Sequence, residues 1–363
     1  MTPSKLCSEP VRRASRRAAF VSCLVALALI APVAGAKGPR DPRDSATLTV
    51  MFENDLFGDS DEQYTSGFQL GWMSPDVARY LDADLPPGLE WAKRLAAHLP
   101  FVDLPHSQHN VGLSLGQKVY TPGDTQTRAV VLDDRPYAGW LYGGIAFISK
   151  TMTRLDTVEL QAGMIGPASL AEDAQKFVHK LRGFDVPQGW DNQLENEPGL
   201  ALIYERRDRP WRSANAAGLG YDFITHGGGA VGNVFTYLNA GAELRAGWNL
   251  PADFGTSVIS PGGDTNAPTA VDDPRLGNTS PIGLHGFAAI TGRFVLRDIF
   301  LDGNTFADSH DVDKHLLVGD FLVGASLTVW RAKLSYATVF RSKEFEGQDR
   351  AHHFGSLSLS ITF

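Results

Sequence analysis

Gln175 and His179 stand four residues apart in a stretch whose two ends carry helix signals. On an α-helix that spacing places both side chains on one face, one turn apart. Histidine is the side chain most readily poised to take a proton near neutral pH, so such a face could do acid–base work. Taken alone, a histidine here is more often an ornament of a solvated helix. A second group of reactive types lies upstream: Glu53-Asn54-Asp55, then Asp59 and Asp61, then Tyr64-Thr65-Ser66-Gly67. Clustered acidic oxygens suit a hard cation such as Ca²⁺. Aspartate and asparagine also dominate turns, so an Asx-rich turn accounts for the same residues without a ligand.

The helix that must carry Gln175 and His179 is predicted over Ala168 to Arg182. Pro167 and Ser169 open it, Glu172 and Asp173 occupy its first turn, Lys180 and Arg182 its last, and Gly183 closes it. Those charges match the helix dipole. Phe177 and Leu181 are expected to pack it against its support.

Everything around this helix reads as strand. From Gly355 to Phe363, Leu357, Leu359, Ile361 and Phe363 alternate strictly with Ser356, Ser358, Ser360 and Thr362. Period two with small polar groups on one face suits a strand between lipid and a polar lumen. Similar segments, bounded by Gly, Pro, Asp or Asn, fall at about 45–53, 64–74, 109–119, 139–151, 153–164, 198–208, 215–226, 233–247, 283–296, 315–329, 331–342 and 353–363. The fold class is therefore all-β: a transmembrane antiparallel barrel of about twelve strands with one short helix near the reactive residues. An even count lets both termini share the periplasmic end. A short helix is expected from Leu89 to His98 within 76–106, and 251–281 reads as a long exposed loop. Gly227-Gly228-Gly229 reads as a tight turn, Asp133-Asp134-Arg135 as a wall-supporting charge cluster, and His352-His353 as interfacial. No Gly-x-Ser-x-Gly elbow or serine triad is present.

The N-terminus reads as an export signal. Arg12, Arg13, Arg16 and Arg17 precede an apolar run from Ala18 to Val33, and Ala34-Gly35-Ala36 offers a cleavage site. The expected division is a cleaved signal over 1–36 and a barrel domain over 37–363. Both cysteines, Cys7 and Cys23, fall in the signal, so the barrel would hold no disulfide. Without residues 1–36 the chain carries 28 basic and 40 acidic residues, a net charge of −12, which excludes a nucleic-acid binder.

Several motifs combine in a recognisable order: Glu53-Asn54-Asp55-Leu56-Phe57, Asp61 through Tyr64-Thr65-Ser66-Gly67, Gly116-Gln117 with Tyr120-Thr121-Pro122, Asp134-Arg135-Pro136-Tyr137-Ala138-Gly139-Trp140, Gly166-Pro167 with Gln175 and His179, then Gly183, Pro187, Gly189-Trp190 and Asn192 to Glu197. Together they resemble the outer-membrane lipid A 3′-O-deacylases, over nearly all of the chain beyond the signal. The resemblance implies a twelve-stranded barrel with its site between the inner wall and a short helix, on the outer-leaflet side. It implies Asn54, Asp55, Thr65, Gln175 and His179 as site residues, Ca²⁺ held in part by Asp55, and His179 as the base that deprotonates a water. Glu53, Asp59 and Asp61 are possible further ligands or solvated charges. The substrate would be lipid A of lipopolysaccharide within outer-membrane lipid, with the acyl position chosen by loops 76–106 and 251–281. The terminal Phe363 suggests insertion by the barrel-assembly machinery, and a monomer is expected. The rival readings are a serine-dependent outer-membrane phospholipase and a non-enzymatic pore or structural barrel.

Overall fold

The computed structural model describes residues 40–55, 63–85, 87–101, 104, 106–255, 258–259 and 265–363. The expected signal over 1–36, Leu56, Phe57, Asp59 and Asp61 lie outside the described residues.

Alternating sequences become twelve strands: β1 Thr47–Asn54, β2 Gln63–Met73, β3 Gln108–Thr121, β4 Ala138–Lys150, β5 Arg154–Ile165, β6 Glu197–Ala214, β7 Leu219–Gly232, β8 Phe235–Trp248, β9 Ile282–Asp298, β10 Leu317–Val329, β11 Ala332–Arg341 and β12 His352–Thr362. Each pairs with its neighbours in sequence, and β1 closes on β12, so the described sheet is a closed antiparallel barrel. Thr47 opposite Thr362 and Asn54 opposite Gly355 set the closing register. Closure satisfies every edge, which a sheet in lipid requires. Every predicted strand is present. The Gly227–Gly229 turn is corrected: these glycines lie inside β7, opposite Glu205 of β6 at Gly228. A Cβ at Gly228 would stand 2.1 Å from the Tyr204 carbonyl oxygen, so close backbone approach explains that glycine.

Register assigns each residue to lumen or lipid. The row Glu53, Gly67, Lys118, Trp140, Ile165, Glu197 runs across β1 to β6. Its charged members and Trp140 are buried, which marks the lumen. Two rows of opposite parity carry exposed Phe68, Leu70, Leu115 and Leu200, the lipid-facing belt. On β12, buried Ser356, Ser358, Ser360 and Thr362 point inward as the alternation predicted.

Two long connections lie at the end of the barrel that carries the chain termini. The first includes α1, Glu90–Ala96, and folds back on the outside wall, where Tyr80, Ala92 and Ala96 pack with Val111 and Phe147. The second, 249–281, is not the exposed loop expected. Its described residues turn into the lumen: Ala252, Asp253 and Phe254 are fully buried, and Ile259 N–H donates to Glu53 at 2.6 Å. Its Gly, Pro, Asp and Asn content suits a chain that must bend inside a polar lumen as well as one in water. Asp253 anchors this plug through Lys333 Nζ at 2.6 Å, Arg275 at 3.0 Å and Arg245, itself held by Asp222.

Burial alone would raise the Asp253 carboxyl, but Lys333, Arg245 and Arg275 outweigh it and hold the group far below the usual carboxylate range. A depressed carboxyl contributes its stability in full above its unfolded pKa of about 3.9 and loses it as pH falls toward the folded value. Unfolding in urea should therefore show no loss of the plug's contribution between about pH 7 and 4. Asp253→Ala takes the carboxylate from buried Lys333 and one of two carboxylate partners from Arg245 and Arg275, and should cost about 3–5 kcal/mol, read as a lower urea midpoint. A midpoint equal to wild type would show that the plug does not brace the barrel.

Candidate active site

At the end of the barrel away from the termini, three neighbouring strands, β1 to β3, place polar side chains on the lipid side of the wall. Asn54 is the last residue of β1 and belongs to the outward row Asn54, Ser66, Val119, Gly139. Its amide Nδ2 donates to the Thr65 carbonyl at 2.9 Å. Thr65 is the extra residue of a bulge in β2, between Tyr64 opposite Tyr120 and Ser66 opposite Val119. A bulge re-aims one side chain without breaking the barrel. Here it brings Thr65 Oγ1 within 2.7 Å of Thr121 Oγ1 on β3. Asn54, Thr65 and Thr121 are all buried although they sit on the outer wall, and the turn residue Asp55 after β1 is fully buried.

The element laid over this wall is α2, Ala171–Arg182, within the connection from β5 to β6. It packs on β3 and β4. The chain enters it through a 3-10 turn, Pro167–Ser169, and a left-handed Leu170, so the helix starts three residues later than predicted. Gly183 closes it in the left-handed region, and Phe184 N–H reaches the His179 carbonyl at 2.9 Å, a Schellman end. Gln117 on β3 donates to the Ser169 carbonyl at 2.7 Å. Gly139 admits the helix: a Cβ there would lie 2.1 Å from Ser169 Oγ and 2.2 Å from Ala171 Cβ. Val119, Tyr137, Ala171 and Trp190 form the apolar contact beneath.

The wall-facing side of α2 is Ala171, Gln175 and His179, all buried. Phe177 and Leu181 do not hold the helix down, as the sequence reading expected; they are 67% and 75% exposed. The spacing that puts Gln175 and His179 on one face requires this, because Phe177 lies on the opposite arc. Trp190 Nε1 donates to Gln175 Oε1 at 2.8 Å, which fixes the amide and turns its Nε2 elsewhere. That Nε2 is buried and has no hydrogen-bond partner among the described residues. His179 Nδ1 lies 2.7 Å from the Asp185 carbonyl oxygen. A carbonyl only accepts, so Nδ1 carries the proton and Nε2 is the basic nitrogen of the neutral ring.

Two corrections follow. The site lies between α2 and the outer wall, not the inner wall. The connection 76–106 lies at the opposite end, and the described part of 251–281 enters the lumen behind the wall, so neither lines the outer face. The wall half (Asn54, Asp55, Thr65) and the helix half (Gln175, His179) share one outer face and one end of the barrel. A cavity of about 110 Å³ lies elsewhere, in the lumen, lined by Glu53, Lys118, Glu205, Arg207, Arg293 and Arg341 among others. Glu53 is held there by Tyr64 at 2.8 Å, Ser356 at 3.2 Å and the plug.

The other polar motifs are structural. Arg135 pairs with Glu344 at 2.8 Å, and Asp134 accepts from Gly123 N–H at 2.6 Å. His352 is buried and stacks on Phe354. Sequence reasoning assigned no role to Thr121, Trp190 or the Asp185 carbonyl. The first two stand in the quoted motifs; a backbone carbonyl leaves no trace in residue types.

Among the described residues no group of three His, Cys, Asp or Glu side chains could hold a metal ion. The donors near Asp55 are nonetheless hard oxygens, with no thiolate among them. Ca²⁺ accepts backbone and amide carbonyls and water beside a single carboxylate, so the donor chemistry fits that ion.

The chain matches a family model described as Outer membrane protein LpxR over residues 20–363. Among solved structures it is similar to LpxR from Salmonella typhimurium, with 19% identity, a TM-score of 0.66, and coverage of 87% of this chain and 100% of that one. The β domain of the Bordetella autotransporter BrkA shares 9% identity with a TM-score of 0.38, covering 88% of this chain and 97% of that one. No curated protein matches the chain.

Gly139→Val should lift α2 from the wall without opening the sheet. Limited proteolysis should then cut within 166–195 at least about ten times faster, with the heat-modifiable mobility of the barrel unchanged. Wild-type resistance in that variant would show that the helix is not held by this approach.

Proposed function

The chain belongs to the outer membrane protein family of LpxR, and on that footing we propose that it is an outer-membrane ester hydrolase that removes the 3′-linked acyl or acyloxyacyl chain from lipid A. The observation that carries the reading is a buried acid–base face, Gln175 and His179, on a helix that packs against β3 and β4 on the lipid side of the wall, at the end of the barrel that carries Asn54 and Thr65. A lipid ester reaches that place from the leaflet without entering the lumen. The buried ionic plug anchored by Asp253 counts against an open pore.

The reaction follows from the two ends of the helix face. His179 Nε2 takes a proton from water, whose oxygen attacks the ester carbonyl carbon. Its Nδ1–H stays on the Asp185 carbonyl, which keeps the ring turned and stabilises the imidazolium. The carbonyl oxygen becomes an oxyanion, and the Gln175 Nε2 donor, aimed by Trp190, is suited to receive it. Collapse breaks the bond to the sugar oxygen. That oxygen takes the proton back from His179, leaving a free fatty acid and a 3′-hydroxyl. Asn54 and Thr65, tied to each other and to Thr121, position the ester on the wall side. Asp55, with oxygens of its neighbours, would hold Ca²⁺, which when bound supplies further positive charge to the oxyanion.

Lipid A mass spectra from outer membranes expressing the chain should show loss of one acyl or acyloxyacyl unit. His179→Ala should lower the rate about 10²–10⁴-fold. A chelator should abolish the loss in wild type. Identical spectra from wild type and His179→Ala, with both proteins folded, would refute the assignment. Trp190→Phe removes one donor and leaves the ring; it should lower kcat about ten-fold while barely moving KM, because Gln175 then turns freely. An unchanged kcat would show that Gln175 is not the oxyanion donor.

A further inference from the structure

The helix of the site has a second face, and it is exposed among the described residues. Phe177 and Leu181 are one turn apart on the arc opposite Gln175 and His179, and Leu170 at the helix entrance is also exposed. Lys180 stands between them, exposed, and Arg182 lies over the Phe184 ring at 4.9 Å. A solvated helix would carry polar residues here.

Position decides what covers this face. The entrance to α2 rests on Gly139 and Gln117. Gly139 belongs to the outward row that ends in Asn54, and Gln117 to the next row, beside exposed Phe68 of β2. The row beyond it holds Leu70 and Leu115, both exposed. The lipid-facing belt therefore runs without a gap to the base of the helix, and the chain is an outer-membrane barrel. An apolar pair flanked by lysine and arginine is what an interfacial helix shows, with rings and branched chains among acyl groups and the cations reaching up to anionic headgroups.

We propose that the outward face of α2, through Phe177 and Leu181 with Lys180, is seated in the lipid leaflet at the boundary between acyl chains and phosphate headgroups. The helix is then a cover half sunk in the membrane, with the barrel wall on one side and lipid on the other. Taken with the hydrolase reading, on which this last step rests, an ester would reach His179 by lateral movement beneath α2.

The seat can be tested apart from any activity. Residues 37–363 contain no cysteine, so Phe177→Cys or Leu181→Cys gives a single thiol for the environment-sensitive fluorophore NBD, with Asp349→Cys, an exposed polar position in the connection between β11 and β12, as control. The labelled barrels are placed in vesicles of phosphatidylethanolamine, phosphatidylglycerol and lipopolysaccharide. A parallel set includes phosphatidylcholine spin-labelled near the top of its acyl chain. Heat-modifiable mobility confirms that each variant is folded. Probes at 177 and 181 should emit to the blue of the control and be quenched at least about two-fold by the spin label. Emission like that of the control would place the face in water and overturn the proposal. A blue shift without quenching would mean that protein covers it, a second copy included, and would overturn it equally. Quenching in a chain whose lipid A spectra show no deacylation would uphold the lipid seat and remove the hydrolase.

Discussion

A strand residue in a closed barrel has two destinations, lumen or lipid, and the destination changes at every residue. Glu53 and Asn54 are chain neighbours, yet Glu53 meets Tyr64 and the plug inside while Asn54 meets the Thr65 carbonyl outside. A slip of β1 by one residue would exchange them. The pairing of β1 with both β2 and β12 forbids that slip, since each partner is itself held by the rest of the ring. The bulge at Thr65 departs from alternation beside the site and adds a hydroxyl to the outer cluster.

Polar groups on a lipid-facing wall are costly unless covered and paired, because hydrocarbon offers them no hydrogen bonds. Asn54, Thr65 and Thr121 satisfy part of this among themselves, and α2, from the connection between β5 and β6, packs on the same outer face at β3 and β4. The helix has to come close, which is why the wall beneath it is glycine and valine at Gly139 and Val119 and why the helix brings Ala171. Gln175 and His179 lie on the buried side of that helix.

Most of this architecture is legible in residue types. The alternation of Leu357 to Phe363 with serines and a threonine, and eleven weaker segments like it, yields the strand count, because a barrel strand between lipid and polar lumen leaves few other patterns. Gln175 and His179 are legible as a pair because helical spacing is rigid. Which side of the wall they face is not, since inner and outer walls both accept a helix and only the register of β3 and β4 decides. The plug misled for a related reason: Asp253 and Arg275 lie in the stretch read as an exposed loop, and only the barrel brings them to each other and to Lys333. Phe177 and Leu181 misled because apolar residues on a helix usually point to protein, whereas this helix has lipid on its far side.

The wall and its cover differ in how firmly they are held. The wall is one part of a closed ring, and behind it the plug touches both Glu53, through the Ile259 amide, and Lys118, through the Ile259 carbonyl at 3.2 Å. Those two residues sit in the lumen row directly beneath the outer row of Asn54 and Val119. Any inward yielding of the site wall would have to displace the plug and the ion pairs of Asp253. The cover is fastened at two places outside the ring: where it begins, by Gly139, Gln117 and the Ser169 turn, and beyond its glycine end, where Gln188 N–H meets the Thr125 carbonyl at 2.8 Å and Trp190 packs on Tyr137. The wall groups therefore stay where the ring and the plug put them, while the helix depends on contacts made by its two flanking turns.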